Sequence, residues 1–302
     1  MRYLGLDLGG TNIKGVVVEV HEDGSAVALT EATVPTGGID GPDAVTGRIV
    51  ALGHELVESC GEVAGAGLCV PGLFDPFTGV IEFFTNLPGP WKGFPMRQRL
   101  GAGLGVPAVI MNDGRAFTLA EGRMGAGQGC STLVGITLGT GVGGGVLIDG
   151  RLHLGRWGTA GEIGHLLVQD GDDAALCGCG SRGCVEAYLR ADVISARAGR
   201  ATAEEVYAGA RDGDQQCVAA VAEASRHLSA ALATLLMVLG PHRIVMGGGV
   251  AAAGETLLAP LHAEVARRVP LVPAADIEIV PAVLGSYAGA MGAAVAAADA
   301  SV

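Results

Sequence analysis

The chain has 302 residues, enough for about two domains of ordinary size. Hydrophobic residues make up 49% and charged residues only 17%, which excludes a disordered chain. A formal net charge of −12 at pH 7 argues against nucleic acid, anionic membranes and polyanionic polymers as main partners. The compositional outlier is glycine, with 51 residues, more than twice its usual share of about 7%. No G-X-Y period accompanies it, so these glycines serve turns and close backbone approach.

The short apolar start is broken at Asp7, too early for a secretory leader. The longest apolar runs, near 228–240 and 288–298, fall short of the ~18–20 residues a membrane helix needs. Seven cysteines, an odd number without an export signal, point to a reducing cytoplasm and to metal or free thiols rather than disulfides.

In chain order, residues 2–8 and 13–20 read as β-branched strands around a Gly-Gly turn, with 26–34 as a third strand of a meander. Val45, Ile49, Leu52, Leu56 and Val57 recur at helical spacing over 43–59, and a buried strand follows at 66–70. Another buried strand at 106–111 delivers Asn112 and Asp113 at its carboxyl end, ahead of a helix over 115–124. Functional side chains favour that end of a strand in open α/β sheets. A strand–glycine turn–strand unit at 135–148 overlays 5–18 without a gap, 130 residues apart, which suggests two related lobes and a ligand cleft between them.

A Gly- and Cys-rich segment then runs to Cys184, followed by helices over 185–197 and 203–211 and a long, mostly apolar helix over 219–239. A strand at 243–246 enters Gly247-Gly248-Gly249, and a helix over 255–269, a strand at 277–280 and a small-residue helix over 286–298 complete the chain. No linker-like run separates domains, so the boundary is expected at a hinge between packed lobes.

Three glycine loops, at 7–14, 139–145 and 247–249, each follow a β pattern. Phosphates need backbone N–H groups at close range, and glycine removes the Cβ that would block them; the plainer reading of each loop is a hairpin turn. Gly139-x-Gly141-x-x-Gly144 matches the dinucleotide fingerprint formally, but a strand follows where the fingerprint needs a helix. No Gly-Lys pair exists, so a Walker A loop is absent. Any phosphate site belongs to a different nucleotide fold.

Cys177-x-Cys179-x4-Cys184 gathers three thiols among glycines, with His165 twelve residues upstream of the first. Three thiolates and an imidazole complete a tetrahedral, closed and therefore structural zinc shell; the alternatives are a redox pair or a chance cluster. Glu162 and Glu186 flank this knot, and carboxylates held rigidly are good acceptors for a polyhydroxyl ligand. Either glutamate alone reads as a solvated surface residue, and Asp113 alone reads as a helix N-cap.

Together these residues resemble the ROK family (repressor, open reading frame, kinase) of the actin/Hsp70/hexokinase-like superfamily. Asp7-Leu-Gly-Gly-Thr-Asn-Ile-Lys14 looks like its first phosphate motif and Cys177-Gly-Cys-Gly-Ser-Arg-Gly-Cys-Val-Glu186 like its zinc motif. The likeness continues through Pro71-Gly72, Asn86-Leu-Pro-Gly89, Asn112-Asp113, Gly139-Thr-Gly141, Glu162-x-x-His165 and Gly247-Gly-Gly249.

The resemblance implies an α/β, two-lobed actin-like ATPase (ribonuclease H-like) fold with mixed sheets and a cleft, divided into 1–113 plus 286–302 and 114–285. It implies an ATP-dependent hexose kinase, glucokinase-like, with ATP and Mg²⁺ beside the sugar and a structural Zn²⁺ on His165, Cys177, Cys179 and Cys184. Asp113 matches the catalytic base, while Gly72, Asn86, Asn112, Asp113, Glu162, His165 and Glu186 match sugar-contacting positions. Asp7, Gly9, Gly10, Thr11, Asn12, Lys14, Gly139, Thr140 and Gly141 match phosphate- and Mg²⁺-facing positions, and Gly247, Gly248 and Gly249 the loop near the adenosine. A homodimer or tetramer is also implied.

Two departures bear on the substrate. Leu-Pro-Gly-Pro between Asn86 and Trp91 is one residue longer than the glucokinase pattern, and Asp170-Gly-Asp-Asp173 looks like an acidic extension. N-acetylglucosamine, N-acetylmannosamine, fructose and allose therefore stand beside glucose as acceptors. Family members that repress transcription carry a DNA-binding domain ahead of the kinase-like part, for which the first phosphate motif at Asp7 leaves no room. Polyphosphate as donor would want a basic track, which so acidic a chain does not offer.

Overall fold

A computed structural model describes residues 1–84, 87–249 and 251–301. β1 (Arg2–Leu8) and β2 (Asn12–Val20) form an antiparallel hairpin that β3 (Ala26–Pro35) extends. On the other side of β1, β4 (Ala66–Val70) and β7 (Ala108–Asn112) add in parallel, giving the order β3-β2-β1-β4-β7. A separate hairpin, β5 (Leu73–Phe74) with β6 (Ile81–Phe83), lies between β4 and β7 in sequence.

All five residues of β4 are buried, as expected of a parallel strand covered on both faces. One face carries α1 (Pro42–Cys60) and α2 (Met96–Leu104), where Val45, Ile49, Leu52 and Leu56 share a buried core with Leu4, Leu6 and Leu68. The other carries α3 (Asp113–Met124) and α9 (Ala288–Asp299). Helix α9 is built of small residues because its backbone rests almost directly on the sheet. A Cβ at Gly5 would come within 1.9 Å of the Ala290 carbonyl oxygen, and one at Gly67 equally close to that of Ala293.

Substituting Gly67→Ala should therefore cost on the order of 1–3 kcal/mol or more, through overpacking against backbone that cannot rotate away. Gly47, exposed on α1 with open space around its Cβ position, provides the contrast: Gly47→Ala should stabilise by about 0.5–1 kcal/mol. Denaturant melts of the two variants check both signs.

A second sheet, β10-β9-β8-β11-β12, repeats the arrangement of the first, with β8 (Leu133–Leu138), β9 (Val142–Ile148) and β10 (Arg151–Leu152) antiparallel, and β11 (Arg243–Gly247) and β12 (Ile279–Pro281) parallel to β8. The repeat suggested by the sequence is thus present, but not without a gap. Leu8 faces Ile13 whereas Leu138 faces Val142, so the second turn is one residue shorter and the second strands align only after a one-residue shift. Its core is supplied by α6 (Ala203–Arg211), α7 (Gln215–Leu239) and α8 (Glu255–Arg268).

The single helix expected over 185–197 is two, α4 (Glu186–Leu189) and α5 (Ala191–Arg197). Arg190 between them is extended (φ −58°, ψ 144°), and the Ala191 N–H donates to the Gly139 carbonyl at 2.9 Å. By its internal packing the chain divides into Met1–Gln128 with Val283–Val302, and Gly129–Ala282. The first division thus falls after Gln128 rather than after Asp113. Helix α3 belongs to the first unit because it packs on α9, where a Cβ at Gly292 would meet the Ala116 carbonyl oxygen at 1.8 Å. Among the described residues no helix is long and apolar enough to cross a membrane.

Candidate active site

In the first unit the candidate residues gather at the carboxyl ends of β1, β4 and β7. Asp7 pairs in register with Lys14 on β2 and with Cys69 on β4, and Asn112 and Asp113 follow directly from β7 into α3. The helix cap is Asn112, whose Oδ1 accepts the Gly114 N–H at 2.9 Å; Asp113 is the first helical residue, and its Oδ1 accepts the same N–H at 2.8 Å. The capping residue is thus Asn112 and not Asp113.

Burial raises Asp7, and the Asp113 charge raises it further; the Cys69 thiol and Lys14 oppose them, leaving its carboxyl at about 6. Cys69 is fully buried, and burial with two nearby carboxylates drives its thiol far up, so it stays an S–H donor toward Asp7. Asp113 is also raised, first by burial, against the lowering pull of the Gly114 N–H. Its side chain nonetheless reaches solvent, so protein crowds it without sealing it and the upward shift is moderated.

The Gly9–Lys14 loop is pinned from behind. Fully buried Thr36 gives its hydroxyl to the Gly9 carbonyl at 2.7 Å and its N–H to that of Thr11 at 2.9 Å. Lys14 Nζ donates to the Ser286 carbonyl at 2.8 Å and lies 5.7 Å from the Tyr287 ring centre. Gly72 has φ +95°, and its Cβ would stand 2.3 Å from the Phe83 carbonyl oxygen, so the backbone itself requires glycine there. Asn86 lies outside the described residues.

In the second unit two glycine loops stand at the carboxyl ends of adjacent strands, 139–141 after β8 and 247–249 after β11, with Gly247 in register with Thr137. Gly248 has φ +88° and rests on the Leu138 backbone, where its Cβ would be 2.2 Å from the carbonyl oxygen. Glu186 joins the first loop to the cysteine knot. Its Oε2 accepts the Val142 N–H at 2.9 Å, and the Cys177 Sγ lies 3.8 Å from its Oε1. Glu162 sits immediately before the short 3₁₀ turn Ile163–His165.

His165, Cys177, Cys179 and Cys184 offer four ligand atoms within 4.8 Å of one another. The Cys177 Sγ to His165 Nδ1 distance is 3.7 Å and the Cys179 Sγ to Cys184 Sγ distance 3.8 Å. Zinc bonds of about 2.3 Å to sulfur and 2.0–2.1 Å to nitrogen give tetrahedral edges of about 3.5–3.8 Å. The donor set fits zinc in kind, and these two distances match the tetrahedral edges.

Sequence reasoning missed Cys69, Thr36, Tyr188 and Glu121. Tyr188 anchors the knot by accepting the Ala175 N–H at 2.9 Å and stacks on His227 at 3.9 Å. Glu121 carried no visible signal, because α3 is buried without a break from Gly114 to Glu121 and the partners Val283 and Leu284 are distant in sequence.

The two units, each with functional groups at the carboxyl ends of a β-sheet of the same order, define an actin-like α/β protein. A family model described as "ROK family" matches residues 3–300, and the chain belongs to the ROK family. It is 34% identical over 315 residues to a glucokinase of Halalkalibacterium halodurans, covering 96% of this chain and 93% of that one. The crystal structure of a ROK hexokinase from Thermus thermophilus superposes with a TM-score of 0.90 at 33% identity, covering 100% of this chain and 99% of that one. A ROK glucokinase from Streptomyces griseus in complex with glucose and AMPPNP gives 0.79 at 30% identity, with 99% and 100% covered.

Proposed function

We propose that this chain is a sugar phosphotransferase that moves the γ-phosphoryl group of ATP to a hexose, with the 6-hydroxyl of glucose as preferred acceptor. The observation that carries this is the pairing of two raised carboxylates, Asp7 and Asp113, at the carboxyl ends of β1 and β7. The similarity to a glucokinase solved with glucose and an ATP analogue supports donor and acceptor.

Phosphoryl transfer asks the protein mainly for positioning and charge stabilisation. Asp113 accepts the proton of the attacking hydroxyl as the O–P bond forms and ADP leaves, and its raised basicity suits that task. Asp7 would hold Mg²⁺ or its waters, and the ion would supply positive charge to the phosphates. Gly9, Gly10, Thr11, Asn12 and Lys14, with Gly139, Thr140 and Gly141, supply N–H, hydroxyl and ammonium donors to phosphate oxygens. Gly247, Gly248 and Gly249 let the adenosine approach backbone. Asn112, through its amide N–H groups, and Glu162, His165 and Glu186 hold sugar hydroxyls, with Gly72 and Asn86 in the same group. His165, Cys177, Cys179 and Cys184 would hold zinc, which would fix the segment between the two glutamates, and a homodimer or tetramer belongs to the same proposal.

Asp7 makes this pH-dependent. Its native carboxyl titrates near 6 rather than 3.8, so between those values the native state holds more protons than the unfolded chain and this group adds stability as pH falls. Metal binding needs the ionised form. Activity measured as kcat/KM should fall about tenfold per pH unit below about 6, while a melt over the same range shows no matching loss from this group. A pH-rate profile flat down to pH 4.5 would remove Asp7 from the metal role.

A coupled ADP-release assay across glucose, N-acetylglucosamine, N-acetylmannosamine, fructose and allose tests the assignment. Glucose is expected to give the highest kcat/KM. A different winner corrects the acceptor and keeps the kinase chemistry; no sugar-stimulated ADP release refutes the kinase. Light scattering reads the assembly state.

A further inference from the structure

Glu121 is a completely buried carboxylate on α3 that none of these roles uses. Its Oε1 accepts the N–H groups of Val283 and Leu284, both at 3.0 Å, and its Oε2 accepts that of Ala126 at 2.8 Å. The carbonyl of the same residue takes the N–H groups of Gly125 and Gly127 at 3.1 and 2.8 Å. One residue thus ties the segment leaving α3 to the segment that leads into α9.

A buried carboxylate is costly unless several strong donors compensate it, and apolar packing would hold two segments together without that cost. What the carboxylate adds is a fixed position for each N–H group. Two residues beyond Leu284, the Ser286 carbonyl receives Lys14 Nζ at 2.8 Å. The Tyr287 hydroxyl meets Thr33 Oγ1 at 2.8 Å, with its ring beneath Lys14. Gly289 rests against the Asp7 carboxylate, where its Cβ would come within 2.9 Å of Oδ2.

We propose that Glu121 is a positioning residue of the phosphate site: by holding Val283 and Leu284 it sets where Ser286 stands, and through that carbonyl it sets the Lys14 ammonium. This rests on the kinase proposal only in taking Lys14 as a phosphate contact.

The test compares Glu121→Gln, Lys14→Met and the double variant. Glu121→Gln keeps the side-chain shape but turns an NH₂ group toward a backbone N–H. It should raise KM for MgATP about tenfold and leave KM for the sugar within about twofold, a split that general loosening would not produce. The double variant should be no worse than Lys14→Met alone, because the two act in series. Hydrogen exchange should quicken in 9–14 and 283–287 of Glu121→Gln.

A folded Glu121→Gln with unchanged KM for MgATP and unchanged exchange in 9–14 overturns the proposal, as do additive losses in the double variant. Should Glu121→Gln not fold, Tyr287→Leu decides, since that partly exposed side chain steadies the same segment: a raised KM for MgATP supports the proposal and an unchanged one overturns it. Failure of the kinase proposal looks different, because the wild-type protein would then release no ADP in response to sugar while the exchange difference in 9–14 remained.

Discussion

Asp113→Asn should lower kcat by about 10²–10⁴-fold and leave the protein folded, with a melting temperature equal to or above that of the wild type. The loss follows from removing the proton acceptor while keeping the side-chain shape. The stability follows from the helix end, where the cap on α3 is Asn112, which the substitution leaves in place. Burial disfavours the charge on Asp113, so its neutral replacement removes a penalty the native state carries at neutral pH, against a modest lost interaction with the helix N-terminus. Activity is measured by ADP release and stability by a thermal melt. Near-normal turnover in the folded variant would refute the base assignment.

Removing zinc is expected to have the next largest effect, on sugar binding above all. Cys179→Ser, or chelation of the wild-type protein, should abolish stoichiometric zinc by elemental analysis and raise KM for the sugar at least about tenfold. The knot fixes the backbone between Glu162 and Glu186, and Tyr188 ties its Ala175 N–H to the α7 side of the core. Much of that unit's core comes from α6, α7 and α8, away from the four candidate ligands, so the protein should lose melting temperature without unfolding outright. Cys130→Ser, a single thiol away from the cluster, is the control and should change nothing. Zinc absent from the purified protein, or a KM for the sugar untouched by chelation, would refute the structural role.

Much of the site was legible because its chemistry is local. Cys177, Cys179 and Cys184 lie within eight residues of one another, so a turn brings them together whatever surrounds them, and the place of Asp113 directly after the strand β7 was legible in the same way. Residues whose partners are distant in sequence gave no such signal. Thr36 acts on Gly9, Glu121 on Val283 and Leu284, and Ser286 on Lys14. Cys69 sits in a strand buried on both faces, where alternation vanishes and one position looks like another. Helix α2 was missed because Gly101 and Gly103 weaken its helical signal. Its glycines are explained by packing, since a Cβ at Gly103 would meet Val50 at 2.6 Å and Gly105 ends the helix at φ +72°.

By itself the sequence determined the α/β class, the duplicated strand–turn–strand units and the gathering of Cys177, Cys179 and Cys184, because hydrophobic period, turn chemistry and cysteine spacing are short-range properties. The tertiary structure decided the one-residue difference between the two turns, the break at Arg190, the membership of α3 in the first unit and the raised carboxyl of Asp7. The break at Arg190 and the place of α3 depend on backbone from a remote segment, as a carbonyl, an N–H or a Cβ-sized gap, and such groups are the same in every residue and leave no mark in the order of side chains; Asp7 answers instead to burial and to the Asp113, Cys69 and Lys14 side chains that folding brings near it.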